Sequence, residues 1–485
     1  MIFTAGSSSP WYDQAYPAYR TERIEHWNRV AQKLAHWTGA GKFYQKRLAQ
    51  IYGHLIPPGK RVLEVGCGQG DLLAALKPAL GVGVDFSGDM IRLARSRHPG
   101  LTWIEADFYD PELQISGPFD FILFSDSLND LWDVQSAFQR ALTVAHPGTR
   151  LVVNSYSRLW ELPLGLARRI GLAAPVLLQN WLTPDDMRSL CSLSGFEPIR
   201  SWREVLLPLP LLDGFFNRFL VKFAPFSSLA LANFVMARPI PQPPAQPPLV
   251  SVIVPARNEA GNIRNILERT PEMGAGTELV FVEGNSTDDT YATLQRLLPE
   301  YAHRRTQLLK QDGKGKGDAV RKGYAHASGD VLMILDADLT VPPEDLPRFY
   351  HALVEGKGDF INGVRLVYPM EKEAMRALNF LGNKFFSLVF SWLLGQPVKD
   401  TLCGTKVLWK KDYEEIAANR AYFGDFDPFG DFDLLFGAAR LGFKIVDLPI
   451  RYRERTYGST NIDRWRHGWL LLKMVAFAAQ RIKFR

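Results

Sequence analysis

The chain is punctuated by short apolar runs that stop abruptly at acids, glycines or amides. In the first half these are RVLEVGCG (61–68), LGVGVDFS (80–87), LTWIEADF (101–108), FDFILFSD (119–126) and TRLVVNSY (149–156). In the second half LVSVIVPA (249–256), ELVFVEGN (278–285), GDVLMILDAD (329–338) and DFINGVRL (359–366) do the same. Runs this short, bounded by such residues, read as buried strands, and the stretches between them carry helical spacing. Regular alternation of strand and helix predicts an α/β fold with parallel sheets covered by helices on both faces. Ligands then gather beyond the carboxyl ends of the strands, where the acids lie.

One segment belongs to neither pattern. In PIPQPPAQPP (239–248) six of ten residues are proline and none is charged, which favours an extended, semi-rigid spacer. We therefore expect two domains, residues 1–238 and 249–485, joined by this linker. The 485 residues suffice for two cores, and 46% hydrophobic content is ordinary for a globular protein. The net charge of +6 is compatible with anionic partners or simply with a solvated surface. Three scattered cysteines give neither a disulfide framework nor zinc-ligand spacing and fit a reducing cytoplasm. The N-terminal sequence has no basic and apolar leader pattern, so no signal peptide is expected. No clean run of about 20 apolar residues is present, so no spanning helix is expected either.

In the first half, Glu64 closes a strand and is followed by Gly66, Gly68 and Gly70. A glycine loop there lets backbone approach a nucleoside cofactor closely. Asp85, one strand later, is placed to accept ribose hydroxyls, and Asp107 ends the third strand. Together these motifs resemble the class I S-adenosylmethionine-dependent methyltransferases over about residues 40–155. A nicotinamide-type dehydrogenase would share the glycine loop and the later acid, but the Glu64-led EVGCGQG matches the methyltransferase pattern better. The resemblance implies a Rossmann-like domain in which Glu64 and the Gly66–Gly70 loop face the methionine part of the cofactor. It sets Asp85 on the ribose and Asp107 with Phe108 near the adenine. It also makes Ser125, Asp126 and Asn129, at the fourth strand end, candidate contacts of the methyl acceptor. An Asn-Pro-Pro-Tyr type of motif is missing, so no nucleic-acid partner is expected. The aromatic and basic N-terminal stretch is a candidate lid, and His26 and His36 within it read more readily as structural than as bases.

In the second half, Asp336 and Asp338 stand one residue apart at the end of a buried strand. Such a pair repels itself unless a hard cation, magnesium or manganese, shares its oxygens with substrate phosphates. GKGKGDAVRKGYAHASGD supplies glycines and cations, Lys316 among them, suited to a phosphate loop. VSVIVPARNE, EGNSTDDT, this loop, DADLT and RTYGST follow one another as in glycosyltransferase family 2. They resemble most the group that contains dolichyl-phosphate mannose synthase, over about residues 249–465. The resemblance implies a GT-A-type domain that binds a nucleotide sugar through Pro255, Asn258, Glu259 and Glu283. It implies metal and diphosphate at Asp336 and Asp338, the latter catalytic, and phosphate contact from Arg455 near Ser459. Gly284 stands where the family has a second acid that contacts the nucleotide base, and Thr340 where many relatives have a longer metal-side residue.

The acceptor is left open between two chemistries. A polyprenyl phosphate is already an anion and needs cations rather than a base. Arg451, Arg453 and Arg455 fall on one face if the strand runs through them, and Lys399 and Lys406 lie nearby. A glycan hydroxyl needs a carboxylate base, for which Asp431 and Asp433 are candidates. Residues 375–395 confine Asn379, Asn383, Ser387 and Ser391 to one stripe of an otherwise apolar helix, and the C-terminal segment is a second apolar helix ending in cations. Both suit peripheral contact with the cytoplasmic face of a membrane. The reading is a cytoplasmic bifunctional enzyme joining methyl transfer to glycosyl transfer. The other readings are a methyltransferase-like domain that only binds cofactor, and an RNA-modifying enzyme.

Overall fold

The computed structural model describes residues 10–34, 41–171, 175–209, 213–365, 367–368, 377–420, 430–453, 455, 457 and 464–485. Two compact units form, residues 1–240 with 484–485, and residues 241–483.

The first unit runs α1 (Pro10–Leu34), α2 (Gly41–Leu55), β1 (Arg61–Val65), α3 (Asp71–Ala75), β2 (Leu80–Asp85), α4 (Gly88–Arg97) and β3 (Thr102–Glu105). It continues through β4 (Phe119–Ser125), α5 (Val134–Thr143), β5 (Ala145–Tyr156), α6 (Glu161–Arg169), α7 (Pro184–Leu193), β6 (Phe196–Glu204) and β7 (Ala232–Pro239). The sheet order is β3-β2-β1-β4-β5-β7-β6. Strands β1 to β5 are parallel, as the strand–helix alternation predicts. β7 departs from that expectation: it enters between β5 and β6 and is antiparallel to both. Side chains alternate across the sheet, so Val62 joins one apolar layer with Leu48, Tyr52 and Phe234, and Leu63 the other with Ile122, Phe124 and Phe138.

The second unit runs β8 (Val250–Ala256), α8 (Ile263–Arg269), β9 (Thr277–Glu283), α9 (Thr290–Glu300), β10 (Arg305–Lys310), α10 (Lys316–His326), β11 (Val331–Ile334) and α11 (Leu346–Val354). Then come β12 (Phe360–Val364), α12 (Ala377–Leu394), β13 (Lys406–Trp409), α13 (Lys410–Ala418), α14 (Asp431–Arg440), β14 (Ile445–Pro449) and α15 (Arg464–Ala478). The order is β10-β9-β8-β11-β13-β12-β14. Only β13 is reversed, lying antiparallel between β11 and β12. The strand does not continue through the three arginines: β14 ends at Pro449, where its partner β12 also runs out at Val364.

The two serines of the α12 stripe turn inward. Ser387 and Ser391 hydroxyls each donate to the Val398 carbonyl at 3.1 Å, while Phe385 and Leu388 on the same helix are exposed. Trp469 and Leu472 of α15 are exposed as well. Among the described residues no helix is long and apolar enough to cross a membrane.

One side chain accounts for Gly83 of β2 and for Gly70 in the turn before α3. The Trp103 ring lies where a Cβ on Gly83 or Gly70 would go, and its Nε1 donates to the His98 carbonyl at 2.9 Å. Gly83→Val should therefore overpack the layer, costing about 1–3 kcal/mol. The expected result is a lower melting temperature for the first unit with the second unit's transition unmoved.

Candidate functional sites

In the first unit Glu64 ends β1 in the apolar interior, with Oε2 buried and unpartnered. Burial pushes its pKa up to about 8. The turn that follows has Gly66 at φ 74° and Gly68 at φ 51°. A Cβ on Gly66 would collide with Ser127, whereas one on Gly68 would meet only open space. Gly70 serves the Trp103 ring instead. Asp85, at the end of β2, accepts the backbone N–H of Gly68 and of Ser87, each at 2.9 Å. Burial outweighs those two bonds and moves it to about 6. Asp107 accepts the Tyr109 N–H at 3.0 Å and, from α1, the Tyr16 hydroxyl at 2.6 Å and an Arg20 ion pair at 3.0 Å. The candidate lid thus lies directly on the third acid. His26, on the same helix, has Nε2 3.1 Å from the Pro175 carbonyl, and burial lowers its pKa. His36 lies outside the described residues.

Glu64, Gly66, Gly68, Asp85, Asp107 and Phe108 line one cavity of about 1090 Å³, together with Ser125 and Asp126. Asn129 does not line it; its side-chain amide is buried and unpartnered. Asp126 is the centre of the acceptor side. It sits at φ 56° just beyond β4 and accepts the Tyr44 hydroxyl at 3.0 Å, the Asn154 amide at 2.5 Å and the Tyr156 hydroxyl at 3.4 Å. Burial dominates these bonds and raises its pKa to about 7. Tyr44 and Tyr156 come from α2 and the end of β5, and neither carries a motif by which sequence could have found it.

In the second unit the carboxyl ends of β8, β9 and the β11 loop converge. Glu283 is buried and accepts the Ser286 N–H at 2.6 Å. Asn258, at φ 59° just past Pro255, accepts the Thr287 N–H at 2.8 Å. Gln311 fills the space beside Gly284, its Oε1 3.0 Å from where a Cβ would stand. Asp336 pairs with Lys316 at 2.6 Å. Burial alone would raise the carboxyl and lower the amine, but their mutual attraction reverses both shifts. Asp338 accepts the Thr340 hydroxyl at 2.7 Å and Arg455 at 2.5 Å. Arg455 also faces Glu259 at 3.6 Å, where burial lifts the carboxyl to about 7 against the pull of the guanidinium.

The approach to β13 brings in Gly404, which the motifs did not single out. The register of β13 opposite β11 pairs Met333 with Val407, and the same spacing carried onward sets Gly404 against Asp336. A Cβ on Gly404 would overlap both the Asp336 carboxylate and the Lys316 amine. Lys406 is wholly buried, 3.3 Å from Asp431, so it is not a surface cation. Asp433 faces away between Arg321 at 3.7 Å and Arg420 at 3.5 Å. Asp400 is held by the Arg365 guanidinium at 2.7 and 2.9 Å. Arg453 and Arg451 are exposed, Arg451 lying over the Tyr368 ring. Ser459 lies outside the described residues.

The glycosyl transferase family 2 profile matches residues 251–416, and a methyltransferase domain profile matches residues 56–181. The chain is 30% identical to glycosyltransferase AglJ of Haloferax volcanii over 227 residues, 46% of this chain and 70% of that protein. The chain belongs to glycosyltransferase family 2. A second family 2 relative, dolichol-phosphate mannosyltransferase of Pyrococcus furiosus, is 29% identical over 48% of this chain and 67% of its own length. Solved structures similar to the chain include an S-adenosylmethionine-dependent methyltransferase from Thermotoga maritima, 18% identical over 44% of this chain and 98% of that one, TM-score 0.36. By the profile match at residues 56–181, this family 2 glycosyltransferase is an enzyme that also carries a methyltransferase domain.

The acids of its methyltransferase cavity make stability depend on pH. Folded, Glu64, Asp126 and Asp85 hold protons up to about 8, 7 and 6, whereas unfolded carboxyls release them near about 4. The unfolded state binds fewer protons between those limits, so the stability of the first unit should fall as pH rises through that window. Glu64→Gln should flatten the upper part of the fall, read as melting temperature against pH.

Proposed function

We propose that the first unit transfers a methyl group from S-adenosylmethionine and that the second transfers a sugar, with inversion, from a nucleotide sugar to a polyprenyl phosphate. Cofactor fit is supported by an unpartnered buried Glu64 oxygen, by the open cradle at Gly68, and by Asp85 and Asp107 along one wall. Bound there, S-adenosylmethionine supplies an electrophilic methyl group. Asp126, hydrogen-bonded by two tyrosines and near neutrality in pKa, would take the proton from an acceptor hydroxyl or amine as the new bond forms. Asp126→Asn should then lower methyl transfer about 10²–10⁴-fold while S-adenosylhomocysteine binding, measured by calorimetry, persists.

In the second unit, Asp336 and Asp338 would hold magnesium or manganese. Two carboxylates with the remaining positions left to phosphate and water is the arrangement such ions accept. The ion would neutralise charge on the leaving diphosphate. Lys316 and Arg455, already against these acids, would turn to the same phosphates. Pro255, Asn258, Glu259 and Glu283 would frame the nucleoside, with Gln311 occupying the space beside Gly284. The bond from the sugar's anomeric carbon to the diphosphate breaks as the acceptor oxygen bonds to that carbon.

The observation that carries the phosphate acceptor is the state of the two candidate bases. Asp431 is engaged by Lys406 and Asp433 by two arginines, so both are compensated by cations, and an anionic acceptor needs neither. The exposed arginines and the outward apolar faces of α12 and α15 suit a lipid phosphate at the cytoplasmic face of a membrane, and relatives named for dolichyl phosphate agree. Pure protein given several nucleotide sugars, manganese or magnesium, and undecaprenyl phosphate should yield lipid-linked sugar. Asp338→Asn should cut that yield by at least about 10²-fold with S-adenosylhomocysteine binding unchanged. Extension of free glycans alone would instead favour a sugar-hydroxyl acceptor with Asp431 or Asp433 as base.

A further inference from the structure

Helix α6 forms one wall of the methyl-transfer cavity. Trp160, Pro163, Leu164, Ala167 and Arg168 line the cavity from within. The opposite face carries Leu162 and Leu166, and Leu159 in the turn just before the helix and Ile170 just after it extend the row at spacings of three or four residues. These four are 63%, 85%, 62% and 63% exposed, and the helix has no buried residue at all. The Trp160 indole donates to the Leu229 carbonyl at 2.8 Å, which ties exposed Leu229 to the same surface. Pro163 and Leu209 both line the cavity and reach solvent, so the apolar row borders an opening.

Uncompensated charge at this face is positive. Arg158 and Arg169 flank the row, and the acid beside them, Glu161, is paired with Arg158 at 3.7 Å. An apolar row this exposed is costly in water. A helix of nine residues is too short to span a bilayer, which takes about 20. An apolar stripe edged by arginines matches instead the boundary between acyl chains and anionic headgroups.

We propose that α6 docks on an anionic phospholipid bilayer and sets the Pro163–Leu209 opening against it. The methyl acceptor admitted there is an amphiphile whose polar end reaches Asp126. The acceptor class rests on the methyltransferase reading above; the docking itself does not.

All three native cysteines are buried, so Leu162→Cys or Leu209→Cys in the full chain can each carry a single environment-sensitive fluorophore. With phosphatidylcholine vesicles containing phosphatidylglycerol, both labels should shift to the blue and be quenched by nitroxide-bearing lipids. The shift should shrink with phosphatidylcholine alone and be lost at position 162 when Leu166→Asp and Ile170→Asp are added. Because the label reports from α6 itself, docking through α12 or α15 cannot imitate it. No shift with either vesicle, or a shift indifferent to the two aspartates, overturns the proposal. A doubled mass in light scattering without a vesicle response would give the face to a second copy and overturns it too. A shift at 162 without one at 209 removes the opening from the bilayer and sinks the acceptor class. Failure to bind S-adenosylhomocysteine, by contrast, removes the methyltransferase reading and leaves the label result standing.

Discussion

A carboxylate at the end of a buried strand loses much of its hydration, and both units are organised around repairing that loss. They repair it in opposite ways. The second unit brings cations: Lys316 to Asp336, Arg455 to Asp338, Arg365 to Asp400 and Lys406 to Asp431. In the first unit Asp85 is met by backbone N–H groups and Asp126 by neutral side chains. Glu64, Asp126 and Asp85 retain protons instead, with Glu64 at about 8, while Asp107 is met by Arg20. On the proposed reading, one site meets a ligand that brings positive charge, and the other a ligand whose phosphates claim cations already present. The two chemistries differ before any substrate arrives.

The strand ends were readable because they depend on local pattern. A buried apolar run followed by an acid or a glycine signals both the strand and its exposed end, so Glu64, Asp85, Glu283 and Asp336 all stood out. What sequence could not supply was partnership across the sheet. Tyr44 and Tyr156 meet Asp126 from more than eighty and exactly thirty residues away in the chain respectively, which no spacing rule encodes.

Lys406 illustrates the same limit from the other side. A lysine beside an acid-containing loop reads as a surface cation, yet the reversed strand β13 carries it into the interior. The arginine series was expected on one face of a strand, but pairing ends with β12, and the three side chains part company beyond Pro449. Gly70 looked like part of a cofactor loop and proved to make room for Trp103. Local pattern located the site, and long-range packing decided which neighbours completed it.

The reversal of β13 has a bearing on variation. The parallel strands β8, β9 and β11 deliver Glu259, Glu283 and Asp336 at or just past their carboxyl ends, and the chain then leaves the site through the loop that follows. β13 does the opposite: the chain reaches the site first, at Cys403-Gly404-Thr405, and enters the sheet afterwards. The segment between α12 and β13 is tied down on its far side as well: Asn362 of β12 donates to the Asp400 carbonyl at 2.9 Å and Asp447 of β14 accepts the Lys399 N–H at 2.7 Å. The three residues next to Asp336 have no latitude either, because the register of β13 sets their position. Lineages of this enzyme should accordingly hold a residue without a side chain at 404.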